Sequence, residues 1–79
     1  MNTETLCPDE QLLLLTHRLK ERRLKRKLSQ EDLARAIGQH VNSISRYERN
    51  CGEPSLLTVL KVCQALNVTL AELLDETLP

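Results

Sequence analysis

The sequence predicts an all-α fold of five short helices, and three observations carry that expectation. The apolar residues are almost wholly aliphatic, with Leu dominant and Tyr47 the single aromatic, and they recur at spacings of three and four rather than alternating as in a strand. Helix-capping residues and helix-stopping residues follow one another along the chain in matched order. The 79 residues are 41% hydrophobic and 28% charged, which suits one small folded domain rather than a disordered chain.

The elements follow in order. Residues 1–8 are polar, end in Pro8 and are expected to form a flexible arm, which leaves 9–79 as the domain. Asp9 is the expected N-cap of a first helix reaching about Lys27. Leu12, Leu15 and Leu19 give that helix a core stripe, and Leu13 and Leu14 widen it enough to cover a neighbouring helix or a partner chain. Ser29 caps the second helix, with Asp32 three residues on to return the bond. Leu33, Ala34 and Ile37 form its inner face, and Gly38 stops it in the left-handed conformation. A third helix runs from His40 or Val41 to Arg49, with Ile44 and Tyr47 inward.

Asn50 to Pro54 has the composition of a loop. Ser55 caps a fourth helix to about Leu66, with Leu56, Val59, Leu60 and Cys63 expected inward and Asn67 as C-cap. Thr69 with Glu72 forms a further capping box for a fifth helix through Leu74.

Several function classes are excluded. The longest apolar run, Leu12 to Leu15, is too short to cross a membrane. Basic residues follow that run rather than precede it, so a secretory signal is not expected and the cytoplasm is the expected location. Cys7, Cys51 and Cys63 are odd in number and form no CxxC pair, which reads as free thiols, with Cys63 packed in the core. His17 and His40 are scattered relative to them, so neither a metal site nor a cofactor is expected. There is no Ser/His/Asp set at workable spacing and no phosphate-cradling glycine loop, so an enzyme is not expected.

The net charge of zero conceals an asymmetry. Residues 17–50 carry ten basic against four acidic side chains, a net +6, while the remainder carries one against seven, a net −6. Such a dipolar chain can bind a polyanion with its basic part, although charge runs more often form a solvated face. Here the basic part surrounds the segment from Leu28 to Glu48. In that segment a capped amphipathic helix, a glycine turn and a second short helix can all face one core. This is the layout of a helix-turn-helix, whose second helix enters the DNA major groove. Its core spans about 29–49.

Linked pieces of the chain carry a resemblance. They are Leu28-Ser29-Gln30-Glu31-Asp32-Leu33-Ala34, Gly38, Ile44-Ser45-Arg46-Tyr47-Glu48-Arg49, Pro54-Ser55-Leu56, Ala65-Leu66-Asn67-Val68-Thr69-Leu70 and Leu73-Leu74. The chain resembles the Cro/C1 (Xre) family of helix-turn-helix DNA-binding domains over about residues 12–76. That resemblance implies an all-α, compact five-helix, lambda-repressor-like DNA-binding domain. It also implies a transcriptional regulator that commonly acts as a dimer on palindromic operators, and a repressor is the form expected here.

The resemblance assigns roles. Gln30 would donate its amide to a backbone phosphate at the start of the second helix. Val41, Asn42, Ser45 and Arg46 would face base edges, with Asn42 suited to adenine and Arg46 to guanine, or Arg46 to a phosphate or an intrahelical pair instead. Ser43, Arg49 and Asn50 would meet the sugar-phosphate backbone. Arg23 and Glu48 stand where some members form a partly buried ion pair.

Two departures stand out: His40 replaces the usual Ser or Thr cap, leaving a weaker cap or a phosphate contact, and Arg22 occupies an often apolar position, so that either the first helix sits differently or Leu24 compensates. Leu57, Leu70, Leu73, Leu74 and Leu78 would form a homodimer surface or finish the monomer core. An antitoxin with a toxin as protein partner, a restriction–modification controller, and a protein-interaction module without DNA binding are the alternatives.

Overall fold

The computed structural model describes residues 7–75, which form α1 (Pro8–Lys25), α2 (Gln30–Ile37), α3 (Val41–Glu48), α4 (Leu56–Leu66) and α5 (Leu70–Asp75). No strand occurs among the described residues. One cluster of buried side chains joins the five: Leu19 from α1, Leu33, Ala34 and Ile37 from α2, Ile44 and Tyr47 from α3, Val59, Val62, Cys63 and Leu66 from α4, and Leu73 from α5. Leu15, Leu28, Val41 and Leu70 pack against its margin.

The start of α1 differs from the expected one. Cys7, in an extended conformation, is the N-cap, and Pro8 is the first helical residue. Proline suits that position because its fixed φ is already helical and its missing N–H would be unpaired anyway. Asp9 and Glu10 therefore lie within the first turn, where their charges face the positive end of the helix dipole. Residues 1–6 of the expected arm, and Leu78, lie outside the described residues. The far end comes two residues earlier than expected, at Lys25.

Four helix ends share one geometry. Lys27, Gly38, Asn50 and Asn67 all have positive φ, between 56° and 71°. The residue after each donates its backbone N–H back over the helix end: Leu28 to Arg23, Gln39 to Ala34, Cys51 to Arg46 and Val68 to Cys63, at 2.8 to 3.2 Å. This is the Schellman closure, which satisfies carbonyls that a helix end would otherwise leave unpaired. At the start of α2 the capping box is complete: Asp32 N–H donates to Ser29 Oγ at 2.9 Å and Ser29 N–H to Asp32 Oδ2 at 3.0 Å. Ser55 caps α4 through the Thr58 N–H at 3.1 Å, and Thr69 caps α5 through the Glu72 N–H at 3.0 Å.

The inner face of α4 is a correction. Val59 and Cys63 are inward, but Leu56 is 67% exposed and Leu60 45% exposed, and Thr58, Val62 and Leu66 are buried instead. The sequence of α4 is apolar nearly all the way round, so periodicity alone does not set its rotation. Leu73 is fully enclosed and completes the core, whereas Leu57 and Leu74 remain exposed. Leu24 is exposed as well, so it does not replace an inward residue at Arg22.

Three arginines of the basic segment hold the fold together. Arg18 on α1 is buried and donates to the Leu73 carbonyl of α5. Arg26 donates to the Leu66 carbonyl at the end of α4 at 2.9 Å, and Arg23 donates to the Leu28 carbonyl in the turn before α2 at 2.6 Å. The first two cations thus meet the negative ends of helices.

Candidate nucleic-acid interface

The packing of α2 and α3 decides which side chains reach solvent. Ile44 and Tyr47 turn α3 inward against Leu33, Ala34 and Ile37. Asn42, Ser43 and Arg46 are consequently exposed, as are His40 before the helix and Arg49 and Asn50 after it. Ser45 is half-buried, and Val41 is half-buried with part of its side chain against the core. The sequence-derived base-facing set therefore divides into Asn42 and Arg46 on the open surface and Val41 and Ser45 at its edge.

The end of α3 is firmly anchored. Arg23 Nε donates to Glu48 Oε2 at 2.8 Å and Arg23 Nη2 to Glu48 Oε1 at 2.9 Å. The two side chains are 7% and 1% exposed, so this bidentate pair is shielded from water and joins α1 to α3. Gln30, expected from sequence to donate to a phosphate, makes an additional bond within the protein: its Nε2 donates to Glu48 Oε1 at 2.9 Å. The amide has a second hydrogen beyond that bond.

The remaining expected contacts frame a polar surface. His40 is the N-cap of α3 and makes no side-chain capping bond. Arg49 Nε bends back to the Ser45 carbonyl at 3.3 Å. Arg46 lies beside Gly52 of the following loop, and Ser43, Arg46 and Ser55 border a groove of about 280 Å³ between α3 and the start of α4. Gln39 Nε2 donates to Thr58 Oγ1 at 2.9 Å, tying the α2–α3 turn to α4. That tie, the Gln30–Glu48 bond and the arginine-to-carbonyl bonds escape sequence reasoning. Only the positions of Arg18 and Arg26, on the Leu15–Leu19 side of α1, hint at the last of these.

Burial pushes the Tyr47 phenol well above its ordinary range, aided by the neighbouring Glu48 carboxylate. Burial likewise raises the Cys63 thiol. Among the described residues no group of three or more His, Cys, Asp and Glu side chains is placed to hold a metal ion, and no helix is long and apolar enough to cross a membrane.

A buried brace behind a polar, exposed second helix is the arrangement of a helix-turn-helix. The helix-turn-helix family matches residues 19–73, and the chain belongs to this family, in its Cro/C1-type form, a family of DNA-binding domains. Two relatives illustrate the kinship. The chain is 31% identical over 64 residues to the cryptic phage CTXphi transcriptional repressor RstR of Vibrio cholerae, over 81% of this chain and 58% of that protein. It thus spans little more than half the length of that relative. The crystal structure of the restriction-modification controller protein C.AhdI from Aeromonas hydrophila superposes with a TM-score of 0.73 at 34% identity, over 81% of this chain and 97% of that one.

Proposed function

We propose that this chain is a sequence-specific DNA-binding transcriptional regulator, a repressor that holds a palindromic operator as a homodimer. The observation that carries it is the division of α3 into a buried face, Ile44 and Tyr47, and an exposed polar face, Asn42, Ser43 and Arg46. Laid in the major groove, Asn42 and Arg46 read base edges by bidentate pairing, with Val41 and Ser45 contributing at the margin. Gln30, His40, Ser43, Arg49 and Asn50 meet phosphates and set register. Repressor RstR among the relatives supports this mode of regulation.

A second reading, a controller of a restriction–modification system, is favoured by the match to nearly the whole of the C.AhdI chain. Both readings pass through operator binding, so one experiment tests their common part. Selection from a random duplex pool enriches an inverted repeat whose affinity falls steeply with salt. A pool that stays unenriched, with no salt-sensitive binding, counts against both.

A further inference from the structure

We propose that Glu48 is a positioning residue for DNA binding: it turns the Gln30 amide so that a nitrogen-borne hydrogen faces the phosphate backbone. The proposal rests on the reading of Gln30 as a backbone contact. A glutamine amide presents either its nitrogen or its oxygen, because its terminal torsion is roughly two-fold, and an oxygen turned toward a phosphate repels it. Glu48 removes that ambiguity. A carboxylate only accepts, and Oε1 of Glu48 takes Gln30 Nε2 at 2.9 Å, so the nitrogen end is selected.

The selecting carboxylate is itself immobilised. Both its oxygens are held by Arg23, at 2.8 and 2.9 Å, and Arg23 is in turn held by the Leu28 carbonyl at 2.6 Å, two residues before Gln30. The chain of bonds runs from α1 through the end of α3 to the first residue of α2, so the backbone contact and the recognition helix share one anchor. A half-buried Gln30 leaves part of its surface to the outside, and in this proposal its second amide hydrogen lies on that side.

A double-mutant cycle on duplex affinity separates positioning from general bracing. A mixed-sequence duplex at low salt serves as probe, since phosphate contacts do not depend on sequence. The variants are Gln30→Ala, Glu48→Gln and both together, compared at a temperature where circular dichroism shows each fully folded. Gln30→Ala is expected to weaken binding roughly tenfold, as for loss of a hydrogen bond to a charged group. Glu48→Gln should weaken it comparably in the wild-type background and little further in the Gln30→Ala background. Equal weakening by Glu48→Gln in both backgrounds overturns the proposal and leaves Glu48 a brace. A Gln30→Ala variant that binds like wild type removes the backbone-contact reading itself.

Should Glu48→Gln fail to fold, the wild-type chain suffices. In its NMR spectrum one Gln30 amide proton is displaced by the carboxylate, and adding duplex shifts the other while the first persists. Disappearance of the displaced signal on binding means that Gln30 leaves Glu48 to reach DNA, which overturns the proposal.

Discussion

The charges that matter most for folding are two side chains almost out of contact with water. Truncating Glu48 leaves the buried Arg23 guanidinium without its carboxylate, and breaking such a buried pair costs about 3–5 kcal/mol. Glu48→Ala should therefore lose most of the stability of so small a domain in urea denaturation. Arg35→Ala should change it by no more than about 0.5 kcal/mol, because the Arg35–Asp32 pair is 3.7 Å apart with side chains 77% and 46% exposed. Tyr47 offers the opposite case. Its hydroxyl is buried with no hydrogen-bond partner among the described residues, so Tyr47→Phe removes an unpaired polar atom and keeps the ring. The expected result is unchanged stability or a gain of about 1 kcal/mol; a loss of that size would show that the hydroxyl is bonded after all. The Arg23–Glu48 pair is legible in sequence because opposite charges stand at matching motif positions. The Gln30–Glu48 bond is not, because an amide suits a phosphate and a carboxylate equally and only the tertiary distance decides.

Among the helices, caps were the most legible feature and rotation the least. Ser29, Gly38, Ser55 and Asn67 act through bonds to near neighbours, and those bonds are a local property of the chain. Leu56 and Leu60 could not be oriented that way, since what turns them outward is the fit of Val62 and Leu66 against the other helices. The α2 cap also carries a pH signature. The Asp32 carboxyl is held below its ordinary value of 3.8, chiefly by the Ser29 backbone N–H and then by the Ser29 hydroxyl. A depressed native pKa means that the cap's electrostatic contribution is complete above the ordinary value and is lost as the pH falls through the lower native one. Urea midpoints of wild type and Asp32→Asn should thus differ steadily near neutral pH and converge only in acid. A gap independent of pH would assign the effect to helix propensity instead.

Across the whole molecule, the net +6 of residues 17–50 overstates the charge available to a polyanion. Arg18 and Arg23 are buried, the first on a carbonyl and the second on Glu48, so in the proposed interface DNA affinity should depend on the exposed cations, Arg46 and Arg49 foremost. The apolar surface is redistributed in the same way. Leu73 belongs to the core, and the exposed leucines concentrate on the outer side of α4, at Leu56, Leu57 and Leu60. Clustered exposed leucines are unusual on a monomer of this size, and an operator-binding pair needs a self-complementary face. Leu57→Asp should accordingly leave the helical spectrum intact, since Leu57 makes no part of the core, while converting the proposed dimer to a monomer in sedimentation. On an inverted-repeat duplex its affinity should fall by tens of fold, as for loss of a central anchor worth about 2 kcal/mol, with binding to an isolated half-site nearly unchanged. A variant that remains dimeric would move the interface away from α4, toward α5 and its exposed Leu74.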